Sequence, residues 1–178
     1  MNNSELLKHC IKYATLYALA GFGLFVILSF ITDNPMGNIS LLGTPVFIAF
    51  ICYSQKNYRD QQLKGSITYG QAVQVGLYTV VFSSLMFCLL LYLYVGFLRP
   101  DIFNNYKQFT LDQFQKLSDM GIMSQLAEKS ISEAEKLTPG AVVQGECLNK
   151  LLGGLIIVLI SSAVFKKQEP INPSNDLI

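Results

Sequence analysis

Apolar positions in this chain come in long uninterrupted runs, not at every second residue of a strand. Tyr13 to Ile31 is 19 residues without a charge, close to the ~20 that a helix needs to cross a hydrocarbon core about 30 Å thick. A cluster of turn formers follows, Asp33-Asn34-Pro35-Met36-Gly37-Asn38, and a second apolar run goes from Ile39 to Tyr53. That run is short, and Pro45 within it removes a backbone donor and collides with the carbonyl of Leu41. We expect a kinked helix carried through Ser54 to Tyr58, spanning about 39–58. A helix that begins at Thr44-Pro45 and a re-entrant segment are the alternatives. The third run carries no charge from Gly65 to Leu98. It opens on a capping box, with the Thr68 hydroxyl accepting from the Gln71 amide and the Gln71 side chain reaching back, and predicts a span over 71–98 stopped by Arg99-Pro100. The fourth starts at Thr138-Pro139, a hydroxyl cap with proline at the first helical position, and is predicted over 139–165.

The region between the third and fourth spans, 99–138, has a different period. Ile102, Phe103, Tyr106, Phe109, Phe114, Leu117 and Met120 mostly recur every three to four residues, which places them on one face of an amphipathic helix. Gly121 breaks that pattern. A second stretch from Ser124 to Leu137 reads as another helix, with Leu126, Ala127, Ile131, Ala134 and Leu137 as its apolar residues. The fold class is therefore all-α: a single membrane domain over 1–178, built as a four-span helical bundle with a helical hairpin outside the cytoplasm between spans three and four.

Charge fixes orientation. Lys8, Lys12, Lys56, Arg59, Lys64, Lys166 and Lys167 fall on one side of this topology and outnumber its four acidic residues, whereas the other side has six basic against eight acidic residues. Loops rich in Lys and Arg stay in the cytoplasm, so both termini are predicted there. Ala18-Leu19-Ala20 imitates a signal-peptidase site, but the apolar run before it is short and contains Lys12, and hydrophobicity continues past it; the first span reads as an uncleaved anchor.

Candidate chemistry is sparse. The formal net charge of +1 and the lack of basic runs with interleaved aromatics give no footprint for nucleic acid. Cys10, Cys52, Cys88 and Cys147 lie far apart, with no Cys/His pair at metal-ligand spacing, so neither a zinc site nor a disulfide framework is predicted, and Cys147 is expected alone near the outer surface. His9, the sole histidine, has no carboxylate or cysteine at ligand spacing and reads as a surface residue at the cytoplasmic edge of span one. No GxSxG elbow surrounds Ser83-Ser84 or Ser161-Ser162. No catalytic residue, cofactor or metal is assigned, and we expect no enzyme.

Polar groups at membrane depth are the natural place to look for function. Glu146 and Lys150 stand one helical turn apart on span four, with Asn149 beside them. The default reading is an interfacial ion pair whose long side chains snorkel outward; the sharper one is an ion or proton site facing the bundle interior. Small residues recur at Ala14, Ala18 and Gly21, at Ala72, Gly76, Thr79 and Ser83, and at Gly153-Gly154, stripes that let helices approach closely and that also suit a homodimer face. In the hairpin, Phe103, Tyr106, Phe109 and Phe114 form a candidate contact face, either for the bundle's outer ends and lipid headgroups or for an extracytoplasmic protein partner.

The segment Gly65-Ser66-Ile67-Thr68-Tyr69-Gly70-Gln71-Ala72, leading into a long span that ends in Arg99-Pro100-Asp101, then a polar helical insert and a Gly-rich last span, resembles the bacterial integral-membrane family of unknown function numbered 4199, found mainly in Bacteroidetes. The resemblance covers about positions 8–166. It implies a small four-span protein of the bacterial inner membrane and supplies no activity, substrate or catalytic residue. The preferred expectation is a non-enzymatic structural or partner-binding module in the lipid bilayer; a small transporter or channel subunit is the second, and a membrane enzyme, lacking any nucleophile–base pair, the third.

Overall fold

A computed structural model describes residues 3–32, 34–120 and 124–167, with the side chains of 38–41 and 124–128 left undescribed. The fold is all-α: α1 (Asn3–Ile31), α2 (Pro35–Gln62), α3 (Tyr69–Leu93) continued by a π-helical turn (Tyr94–Leu98), α4 (Pro100–Asp119), α5 (Ser124–Glu135) and α6 (Pro139–Phe165). Among the described residues the only ladder contact is an isolated bridge, in which the amides of Ile67 and Lys167 exchange bonds of 2.8 and 2.9 Å with each other's carbonyls.

The caps expected for α3 and α6 are present. The Gln71 amide donates to Thr68 Oγ1 and the Thr68 amide to Gln71 Oε1, while the Ala141 amide donates to Thr138 Oγ1 at 3.2 Å. The second helix departs from expectation at its start. Asn34-Pro35, which read as part of a turn, is a helix start: Asn34 Oδ1 accepts from the Gly37 amide at 3.0 Å and Pro35 occupies the first turn. The helix runs through Pro45 to Gln62, 28 residues or about 42 Å. At its far end α3 widens to the π-turn, where the Arg99 amide reaches Tyr94 O at 2.7 Å. Pro100, with no amide to donate, opens α4. The Gly121 break lies outside the described residues.

Side-chain contacts give the helix directions. Along α1, Cys10 meets Val75, Gly21 meets Phe87 and Ser29 meets Tyr94, so α1 and α3 run parallel. Between α1 and α2, His9 pairs with Ser54, Tyr13 with Tyr53 and Tyr17 with Phe47, so α2 returns antiparallel. Gly76 faces Val158 and Gly154 faces Val80, which sets α6 antiparallel to α3. The small-residue stripes account for this intimacy: Ala14, Ala18 and Gly21 on α1 and Ala72, Gly76, Thr79 and Ser83 on α3 are all buried.

α1, the α3–π segment (Tyr69–Leu98) and α6 are each long and apolar enough to cross a membrane. Their packing is inverted relative to a protein in water. Phe30, Leu152, Ile160 and Val164 point outward and exposed, while Ser54, Gln55, Thr79, Ser83, Ser84 and Ser162 are buried. A helix exterior of this kind suits lipid, where interior polar groups must find partners within the bundle. Gln55 is the main such link: its Nε2 donates to Ala72 O at 3.1 Å and to Ser162 Oγ at 2.8 Å, joining α2, α3 and α6, while its buried Oε1 has no partner among the described residues. Replacing Gln55 by Met, of similar volume, removes two interhelical bonds worth about 0.6 kcal/mol each in a membrane interior. It also removes the orphaned acceptor, so we expect thermal unfolding in detergent to shift by no more than a few degrees.

α5 packs on α4, with Lys107 Nζ donating to the Glu135 carbonyl and a cleft between Thr110, Phe114, Ser130 and Ala134. α4 in turn leans on the π-turn and on α2.

Candidate functional site

The end of the bundle near α4 holds the one charged pair in its interior among the described residues. Lys150 Nζ lies 3.2 Å from Glu146 Oε1, and the two side chains are 8% and 15% exposed. The pair does not snorkel, which corrects the default reading of the sequence. The reason is local: the Lys150 ammonium sits 4.6 Å from the centroid of Phe87 and 5.7 Å from that of Phe47, an aromatic box that holds a cation through ring quadrupoles. Tyr17, its ring tilted 42° against that of Phe47 with centroids 4.8 Å apart, completes the box, and its phenol lies close enough to interact with both charges.

A cavity of about 340 Å³ opens beside the pair. Glu146 and Asn149 supply its polar wall, Phe25, Leu91 and Val142 an apolar one, and Tyr106 reaches in from α4. A smaller cavity of about 100 Å³, lined by Thr44, Phe47 and Gly153, shares Glu146 and Asn149 and continues to Lys150. Asn149, exposed on its helix, thus joins Glu146 at the mouth of both spaces. An apolar chamber with a few converging polar groups is the usual form of a small-ligand site. Because the ammonium offsets the carboxylate, the site presents a dipole and hydrogen-bonding groups instead of a net charge.

The aromatic face predicted for 99–138 is divided. Phe103 is buried, Tyr106 lines the main cavity, and Phe114 lies in the cleft against α5; only Phe109 remains exposed, at 48%. Phe109 is joined by exposed Leu117 on the same helix and by Met120 at its C-cap, and these three remain outward. At the collar, Arg99 donates to Asp101 from Nη2 at 2.7 Å and from Nε at 2.9 Å, with its guanidinium 5.8 Å from the Phe30 centroid. That guanidinium holds the Asp101 carboxyl below the usual carboxylate range.

Two further expectations are corrected. His9 is not on the surface: it is buried, its Nε2 3.0 Å from the Ser54 carbonyl and its ring between Tyr13 and Tyr58, because the first turns of α1 pack against α2 instead of projecting from the bundle. Cys147 is not alone, since α6 brings its thiol beside that of Cys88 on α3; all four cysteines are free. Among the described residues, no cluster of His, Cys, Asp and Glu is arranged to hold a metal. What sequence reasoning missed is the polar seam of Ser54, Gln55, Thr79 and Ser162. Its one visible signal was an amide and hydroxyls at the tail of the second apolar run.

No curated protein and no solved structure matches the chain. The profile of a family described as a protein of unknown function, DUF4199, matches residues 12–167, which takes in all of α2 to α6 and most of α1. The chain belongs to that family.

Proposed function

We propose that the protein is a non-enzymatic, multi-pass module of the bacterial inner membrane that binds a partner on its extracytoplasmic side. In this reading α2 is the fourth crossing. α1 and the α3–π segment are apolar enough to span and run parallel, so the chain between them must return across the same thickness, and α2 lies antiparallel alongside. α4 and α5 then form an outer hairpin, and both termini face the cytoplasm with the basic end of the bundle. Two observations support the binding role: the chamber into which Tyr106 of α4 reaches, walled by Glu146 and Asn149, and, separately, the exposed apolar side chains of Phe109, Leu117 and Met120. A photoreactive residue at Phe109 is expected to capture one discrete protein in cells, with capture lost when Leu117 and Met120 are both replaced by serine. Adducts of lipid alone would overturn this reading.

A small transporter is the second reading, favoured by one observation. The Glu146–Lys150 pair and the Gln55–Ser162 link occupy successive levels of the interior, with Ile51, Val80 and Val158 buried among the core residues there. Solute or ion flux in proteoliposomes, abolished by Glu146→Gln, would establish it; vesicles that stay silent would remove it.

A further inference from the structure

At the opposite end of the bundle from Glu146, a cavity of about 320 Å³ lies between the first turns of α1 and the last turns of α2. Lys8 and Lys12, one helical turn apart, line it together with Glu5, Tyr13, Asn57 and Gln61. Among the described residues neither lysine forms an ion pair. Asn57 lines the cavity, and among the described residues its buried Oδ1 has no hydrogen-bond partner. His9 also borders it, but its Nε2 is engaged by the Ser54 carbonyl. The lining therefore offers two ammonium groups and amide donors, the set that recognises oxyanions through charge-assisted bonds.

Charge and position narrow the ligand. Two lysines and one glutamate leave a surplus of one positive charge, which matches a singly charged phosphodiester better than a phosphate dianion. The cavity adjoins the Tyr13–Tyr53 pair, whose centroids are 5.6 Å apart and whose Tyr53 ring is exposed. Such aromatics lie at headgroup depth, and basic pockets between membrane helices on the cytoplasmic side hold lipid head groups. We propose that this cavity binds the phosphodiester of a phospholipid, with Lys8 and Lys12 Nζ donating to its non-bridging oxygens and the Asn57 and Gln61 amides completing the set. The proposal is independent of any role for the outer chamber.

The test is a titration of the full chain in detergent with dioctanoyl phosphatidylglycerol, dioctanoylglycerol and inorganic phosphate, read by native mass spectrometry and calorimetry. We expect the phospholipid to bind at least tenfold more tightly than the diacylglycerol, and millimolar phosphate not to displace it. The double variant Lys8→Gln/Lys12→Gln should weaken binding about 25-fold, since each basic side chain near a bilayer surface contributes roughly a factor of five. Lys8→Arg/Lys12→Arg should bind within threefold of wild type, which guards against a loss of fold. Lys56→Gln/Lys64→Gln removes the same charge at the same end outside the cavity and should change binding less than twofold. Equal affinity for diacylglycerol, displacement by phosphate, or an equal loss in the Lys56/Lys64 variant would overturn the proposal, the last by reducing it to diffuse surface charge.

Discussion

Glu146→Gln is expected to destabilise the bundle by about 3 kcal/mol, because it leaves Lys150 charged in the interior, 8% exposed, with its counter-charge removed. The pair as a pair is a different matter. Removing both charges while keeping volume, as in Glu146→Leu with Lys150→Met, should restore stability to within about 1 kcal/mol of wild type, since a buried ion pair and an apolar replacement are often close in free energy. With no tryptophan in the chain, the measurement is far-ultraviolet circular dichroism during heating in detergent. A single variant as stable as the parent would mean that Lys150 finds water or another counter-charge, and the enclosed pair would have to be abandoned as a description of this site.

The second large effect concerns the seam between α3 and α6. A Cβ on Gly154 would lie 2.6 Å from Val80 Cγ1 and 3.2 Å from Phe47. Val80 is β-branched and held to one rotamer in a helix, so it cannot swing aside. Gly154→Ala should therefore cost about 1–3 kcal/mol by overpacking. Gly76→Ala should behave similarly, with its Cβ 2.8 Å from Val158 and 2.7 Å from Gln55 Nε2, an amide already tied by two bonds. Gly153 is the internal control. Nothing stands within 4 Å of its Cβ position, so Gly153→Ala should be neutral or stabilising by up to about 1 kcal/mol through helix propensity. If Gly153→Ala and Gly154→Ala lower the melting temperature equally, close packing at residue 154 is not the cause.

Several of these features could be read before any coordinates. The caps at Thr68 and Thr138 depend on residues three apart, and local chemistry suffices for them. The small-residue stripes were legible for the same reason, because a helix repeats its face every three to four positions. Other features were hidden by distance along the chain. Gln55 and Ser162 are 107 positions apart, and no local pattern announces their bond. For Lys150 and His9 sequence alone favours the outside, by a rule that holds in water and near headgroups, yet both are buried. Here the apolar exterior reverses it, and the aromatic box of Tyr17, Phe47 and Phe87 that makes an interior lysine tolerable is assembled from three different helices. The aromatic stripe of α4 failed in another way: periodicity correctly put its residues on one helix, but the neighbours on α5 and in the bundle then claimed Phe114, Phe103 and Tyr106 separately.

The wide turn at Tyr94–Leu98 governs something larger than itself. A π-turn differs from an α-turn by one surplus residue, and each residue of a helix carries about 100° of rotation. Shortening the chain by a single position there, for example at Gly96, would restore the ordinary winding, rotate α4 by that angle against α3 and turn Tyr106 out of the chamber it lines. The shape of the chamber is in this sense a matter of counting, fixed by the number of residues between two helices and not by any one side chain that lines it.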